Sequence, residues 1–466
     1  MPAYFETDSA ETRGMSQNAL LEETRRSKDH HISDQPSPQF VTHVEKHDSF
    51  QLQAGEGGLS FHIVADLPSL VELEEDWNLL FKRAGKPHQV FQTFNWCWHW
   101  CHHFLGPENN INGSGLPNDA CDDSKPSVLL HLKSKTDMFV VVAYQHDKLI
   151  LVWPLLRETI LGISRLTWLG RPITQYGDVI VEDIKNKSEV LRLAWEYIKE
   201  HAKVDVVQFS LVRDDSDISK VLAKAGYRIT DRSRAPYLNL ETVSSVDDYF
   251  KTKNARAAKN RRRCRRRLGE LGKLSFKVHC SDAKAGEISL KALQMKRAWL
   301  KKKGCISRAL SDVRTDRFFH DVCAGEVRNV ESRVSQLCVD GREVAVEIGF
   351  SCKGALAVHV IVYDDAYYRY GCGSLAMEDS VRACWNDGVR VYDLLAPDTP
   401  YKFAWADQSV GIKNWSLPMT FKGRVWLWLY TVMGKKCLKN TLKRLPVALS
   451  RPATCFLNLM FERIGA

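Results

Sequence analysis

Residues 363–405 read YDDAYYRYGCGSLAMEDSVRACWNDGVRVYDLLAPDTPYKFAW, and this stretch decides the fold. Gly371 and Gly373 permit a sharp backbone turn. Met377, Val381, Cys384 and Trp385 then fall at i, i+4, i+7 and i+8, one face of a helix that Gly388 ends. Val389, Val391, Leu394 and Leu395 make a short buried strand. A helix N-terminus thus opens off a glycine turn beside a sheet, where free N–H groups and the helix dipole favour an anion.

Working outward, the pattern occurs twice. Strands are expected at 139–144, 149–156 and 165–169, then a helix through Val190, Leu191, Ala194, Trp195 and Ile198, then a strand at 204–211. Strands at 337–339, 343–350 and 355–362, the helix 374–386 and the strand 389–395 repeat that plan, offset by about 190 residues. The repetition predicts an α/β chain of two tandem domains, mixed sheets flanked by helices, joined near residues 236–250. The boundaries read as a polar leader over 1–57, a first domain over 58–240, a second over 241–416 and a basic, aromatic tail over 417–466. The leader has too few large apolar side chains to offset its ordering entropy and is expected to be disordered.

Composition narrows the partners without choosing one. The chain has 466 residues, 44% hydrophobic and 26% charged, an ordinary composition for a soluble protein. A net charge of +10 favours phosphates, nucleotide sugars, nucleic acid or an anionic membrane face. Thirteen cysteines without repeated C-x-x-C spacing, and no signal-type segment, lead to the expectation of a reduced cytoplasmic setting. The longest apolar run, 425–433, is about half of the roughly 20 residues a membrane span needs. Cys97, His99, Cys101, His102 and His103 cluster, but no second ligand pair at finger spacing accompanies them, so no metal is expected.

Several motifs occur in one order. Phe91, Gln92, Thr93 and Trp96 form an aromatic-amide element, followed by Tyr176, Gly177 and Asp178, by the hairpin Asp340, Gly341, Val344, Ala345 and Gly349, by Tyr392, Asp393 and Leu394, and by Tyr401, Lys402 and Trp405. Over roughly residues 60 to 415 this order resembles the CelD/BcsL-type, cellulose-biosynthesis-associated GNAT-like acetyltransferases, relatives of the Fem-type aminoacyl transferases. The resemblance implies two tandem GNAT-like domains and an acyltransferase that uses acetyl-CoA or another acyl-CoA, with no metal. Where that family's pyrophosphate loop carries Gln or Arg, this chain has Tyr368, with Arg369 one place later.

On that resemblance Gly371, Gly373, Ser374 and Arg369 hold the cofactor, and Lys402 stabilises the oxyanion with Asp393 and Tyr401 beside it. Gln92, Trp96, Tyr176, Asp178, Trp405 and Arg262 are the substrate-side candidates. Each has a plainer alternative. Trp96 suits core packing, Asp178 a turn, Asp393 a loop cap or an arginine partner, and Lys402 a surface position beside Tyr401. The basic run from Lys251 to Arg267 suits a phosphate-bearing ligand, nucleic acid such as tRNA, or a solvated helix docked through Tyr249, Phe250, Leu268 and Leu271. The implied acceptor is a sugar or polysaccharide precursor. Trp426, Trp428 and the basic residues after Lys422 suit contact with the inner membrane face or a polysaccharide synthase. Two alternatives stay open, a tRNA-dependent aminoacyl transferase and a non-catalytic partner of such a synthase.

Overall fold

The computed structural model describes residues 58–106, 135–160, 162–253, 255–303 and 307–432. The leader 1–57 and the basic residues of the tail beyond 432 lie outside the described residues. Among the described residues, thirteen strands form one mixed sheet: β1 (Leu59–Val64), β2 (Lys135–Gln145), β3 (Lys148–Ile160), β4 (Ile163–Trp168), β5 (Ile180–Val181), β6 (Val206–Arg213) and β7 (Arg228–Asn239) from the first half; and β8 (Leu274–His279), β9 (Ser332–Val339), β10 (Arg342–Cys352), β11 (Ala355–Tyr363), β12 (Val391–Asp393) and β13 (Gln408–Pro418) from the second.

The strand order, β1-β2-β3-β4-β6-β13-β7-β12-β11-β10-β9-β8, is an internal repeat. Read inward from either edge it gives the same sequence of roles. In each half the only parallel pairing along this path joins the strand before the long helix to the strand after it, β4 with β6 and β11 with β12. The last strand of each half then crosses over. β13 pairs with β6 of the first half, β7 pairs with β12 of the second, and β7 and β13 pair with each other at the centre. The expected tandem α/β architecture is therefore present, with the two sheets fused by exchanged strands. Residue 240 falls at the end of one exchanged strand, and 408–418 completes the sheet of the other half.

The local reasons follow the apolar spacing. Helix Cys372–Asn386 starts at Gly371, whose φ of 63° is left-handed, and buries Leu375, Ala376, Met377, Val381 and Cys384. It packs on one face of the second half's sheet, while helices Ala283–Lys303 and Arg314–Ala324 cover the other face through Ile288, Ala292, Phe318 and Val322. Helix Lys187–His201 buries Val190, Leu191, Ala194, Trp195 and Ile198 in the equivalent place in the first half. β12 is shorter than the expected 389–395 strand. Leu395 has a φ of 58°, a conformation that ends strand geometry and that a bulky side chain rarely adopts.

The basic helix Ala255–Gly269 is docked more firmly than its flanking apolar residues suggest. Tyr249, Phe250 and Leu268 are buried as expected, whereas Leu271 is exposed. Arginines of the run itself clamp it to helix Cys372–Asn386: Arg261 pairs with Glu378 at 2.9 Å, Arg265 with Asp379 at 2.7 Å, and the Arg261 guanidinium lies 4.8 Å from the Trp405 ring.

Candidate functional site

β11 and β12 are paired through only three residues, ending at Ala357 and Asp393. Beyond that point β11 keeps its antiparallel partner β10, with a bulge at His359, while the chain after β12 turns away at Leu395. Two parallel strands that separate in mid-sheet expose backbone carbonyls on both lips. The Leu395 carbonyl accepts a hydrogen bond from Lys402 Nζ at 2.9 Å, reached from the short helix Pro400–Phe403. Lys402 is buried, and burial pulls its ammonium down to about 8, against the opposing charge of Asp393. Tyr401 is half exposed, and burial of its hydroxyl, together with the charge of Glu347, raises its pKa.

Asp393, the last residue of β12, is also buried. Its carboxylate accepts from Tyr176 Oη at 3.0 Å, from Arg213 Nη1 at 3.2 Å and from the Leu395 amide at 2.8 Å. Burial raises its pKa while the Arg213 charge opposes the rise. Arg213 is fixed in turn by two bonds to Asp215, at 2.9 and 2.8 Å, and lies over the Tyr176 ring at 5.2 Å. The first half thus supplies Tyr176 and Arg213 to a carboxylate of the second. The plainer readings of Asp393, a cap and an arginine partner, are both realised at this residue.

The first half closes the corresponding gap. Trp168 ends β4, stacks on Phe209 of β6 with ring centres 4.4 Å apart, and donates its indole N–H to the Ser210 carbonyl at 2.9 Å. Ser210 and Leu395 occupy matching places, the fifth residue counted from Val206 and from Val391. An indole therefore fills in one half what a lysine ammonium borders in the other. Gly177 is there to admit it, since a Cβ at that position would lie 1.9 Å from Trp168 Nε1.

The glycine turn stands at the start of helix Cys372–Asn386. The first intrahelical bonds run from Ser374 and Leu375 to the Gly371 carbonyl, so the Cys372 and Gly373 amides precede the hydrogen-bonded ladder. Ser374 and Arg369 are exposed beside them. A Cβ on Gly371 would contact Cys264 Sγ at 3.3 Å, which sets the basic helix directly against this turn. On its outer side that helix carries exposed Lys259, Arg262, Arg263 and Arg266.

The remaining sequence candidates serve the frame around the gap. Gln92 donates to the Tyr176 carbonyl at 2.7 Å, and Asp178 accepts from Gln89 at 2.7 Å and from the Val179 amide. Trp96 is fully buried, donates to Thr174 Oγ1 at 2.9 Å and meets Phe318 and Phe350 edge-on near 5 Å. Trp405 is buried among Tyr249, Phe250 and the helix Cys372–Asn386. Arg262 lies on the exposed outer side of the basic helix, away from Asp393 and Lys402 in the interior. Cys97 and Cys101 are core residues whose thiols burial pushes up.

Three residues near the gap were not apparent in the sequence. Arg213 follows an apolar strand and reads as a surface charge. Lys296 sits in a helix of mixed pattern, yet its Nζ reaches the Ile361 carbonyl of β11 at 3.2 Å, and burial lowers its pKa. Glu347, in the middle of β10, is buried, accepts from Ser380 Oγ at 2.6 Å and Tyr392 Oη at 2.5 Å, and is raised by burial to about 7. A charged residue amid the apolar run VAVEIGF was the available signal.

Residues 255–403 match the family model described as an acetyltransferase (GNAT) domain. Residues 255–403 thus match a GNAT-type acetyltransferase domain, and by that domain the protein is an acyltransferase. No curated protein matches the chain. Among solved structures, it is similar to FemX (9% identity, 63% of this chain and 90% of that one, TM-score 0.44). It is also similar to a tandem GNAT protein from the clavulanic acid biosynthesis pathway (12%, 78% and 99%, 0.43). A third is L-PGS from Bacillus licheniformis (12%, 77% and 95%, 0.45). At these values the structural likenesses carry no argument about the reaction.

Proposed function

We propose that this protein transfers an acyl group from an acyl-CoA thioester to an amine or hydroxyl of a sugar or polysaccharide precursor, and that the gap between β11 and β12 is where the transfer occurs. The observation that carries the reading is the pair of unequal gaps: the first half's is filled by Trp168, while the second half's is bordered by a buried lysine and a buried carboxylate. The Gly371 turn fits a pyrophosphate, with two amides that precede the hydrogen-bonded ladder, a helix dipole, and no side chain at Gly371 or Gly373 to obstruct it. In the reaction, the acceptor nitrogen or oxygen bonds to the thioester carbon and the carbonyl becomes an oxyanion. Lys402 offsets that charge, Asp393 takes the acceptor's proton, and the C–S bond breaks to release the CoA thiolate.

Release of free CoA thiol in the presence of an acceptor panel tests this reading. Lys402→Ala is expected to lower turnover about 10²- to 10³-fold, the range for loss of one oxyanion-stabilising group. Wild-type turnover by that variant would remove Lys402 from the chemistry. The exposed Lys259, Arg262, Arg263 and Arg266 beside the turn favour a second reading, transfer from an aminoacyl-tRNA. The non-catalytic alternative, with the tail on a membrane-bound synthase, has support from Phe421, Val425 and Leu429, exposed on helix Phe421–Val432.

A further inference from the structure

The gap between β11 and β12 holds more positive charge than oxyanion stabilisation requires. Ile361 lies four residues beyond Ala357, the last residue of β11 paired with β12, and Leu395 lies two residues beyond that pair on the other side. Each of these carbonyls is taken by a lysine ammonium, Lys296 at 3.2 Å and Lys402 at 2.9 Å. The two ammonium groups come from opposite directions. Lys296 descends from helix Ala283–Lys303, which packs on β11, and Lys402 rises from the turn Pro400–Phe403. They are near enough that the charge of Lys296 is felt at Lys402.

Two ammonium groups so placed repel each other and each loses hydration. A single carbonyl contact apiece compensates little of that loss. Among the described residues neither lysine has a carboxylate within ion-pair distance. Asp393, whose charge reaches Lys402 as does that of Asp398, forms no ion pair with it and is hydrogen-bonded to Arg213, Tyr176 and the Leu395 amide. The Lys296 ammonium also stands 5.0 Å from the Trp299 ring, a contact that holds it in place without neutralising it. An arrangement that holds one buried and one partly buried ammonium with no ion-paired carboxylate is completed by an anion.

We propose that Lys296 and Lys402, one on each lip of the gap, form a two-ammonium seat for an anionic group of the acceptor, so that the substrate is a sugar or amine bearing a phosphate or a carboxylate. Lys296 is then a substrate-binding residue, and it selects charged acceptors over neutral ones. This proposal rests on the gap being the transfer site.

The test uses the whole chain and two probes, inorganic phosphate and malonate, titrated calorimetrically at constant ionic strength with chloride as the background anion. Binding of at least one probe is expected, weakened about tenfold or more by Lys296→Met, a loss of one charge-assisted contact. Lys296→Arg is expected to retain it, and Lys301→Met, an exposed lysine of the same helix, to leave it unchanged. Preference for phosphate or for malonate assigns the acceptor class. Failure of the wild type to bind either probe, or equal binding by wild type and Lys296→Met, would overturn the proposal. Acetyl-CoA titrated into the same proteins separates the two readings: a wild type that binds acetyl-CoA but neither anion loses only the seat, whereas one that does not bind acetyl-CoA loses the transfer site itself. Circular dichroism of Lys296→Met, together with the arginine variant, distinguishes lost binding from lost fold.

Discussion

Lys402 and Glu347 show how burial converts ordinary side chains into groups that titrate near neutrality. The Lys402 ammonium is pulled down to about 8, so it is largely charged at pH 7 and loses its proton as the pH passes 8. An oxyanion partner must be charged; turnover is therefore expected to fall above pH 8 in the wild type. In Lys402→Arg, which keeps its charge, that falling limb should vanish even if turnover is lower, and a limb unchanged in the arginine variant would assign it to another group. For Glu347 the sign is reversed. Its folded-state pKa of about 7 lies above the usual 4.5, so the native state binds more protons than the unfolded chain between those values and stability declines as pH rises through that window. The shift corresponds to a few kcal/mol at about 1.4 kcal/mol per unit. Thermal midpoints at pH 5 and pH 8 should differ in the wild type and converge in Glu347→Gln; an equal slope in both proteins would show that Glu347 is not the group responsible.

At the scale of elements, the exchanged strands β7 and β13 decide how the halves depend on each other. Neither was anticipated from sequence. β7 reads RITDRSRAPYLN and β13 reads QSVGIKNWSLP, both too polar on one side and too irregular to show a strand period, because they lie at the centre of a fused sheet and take their stability from neighbours distant in sequence. The helix Cys372–Asn386 and the strands β10 and β11, by contrast, follow directly from apolar spacing. The same division holds within the site. Lys402, Asp393 and Tyr176 stand in short motifs that stood out in the sequence. Lys296 and Arg213 become neighbours only through tertiary packing, which no local pattern encodes. A fragment of residues 58–240 lacks β13 and β12, leaving β6 without its partner on one side and β7 without partners on either. It is expected to aggregate or remain unfolded, while residues 58–432 give one cooperative transition in circular dichroism. A monomeric, cooperatively melting 58–240 fragment would show that the exchange is dispensable.

Across the whole molecule, an internally repeated fold is asymmetric at its two gaps. One gap is occupied by tryptophan and the other is bordered by ammonium groups, and the basic helix is clamped by Arg261 and Arg265 beside the glycine turn of the second half alone. Exposed Lys259, Arg262, Arg263 and Arg266 thereby stand where an anionic donor is expected to approach. If the donor is aminoacyl-tRNA instead, affinity for RNA should fall steeply with added salt as counterions are released, and weak or salt-insensitive binding would count against that second reading. The most direct measurement is isothermal titration of acetyl-CoA into the intact protein, with Gly373→Trp as the blocked variant, since even a Cβ there would lie 3.1 Å from the Tyr363 ring at the mouth of the turn. Binding by the wild type that is lost in a folded Gly373→Trp protein is the predicted result; no binding by the wild type, or equal binding by both proteins, would contradict the assignment of the donor site to this turn.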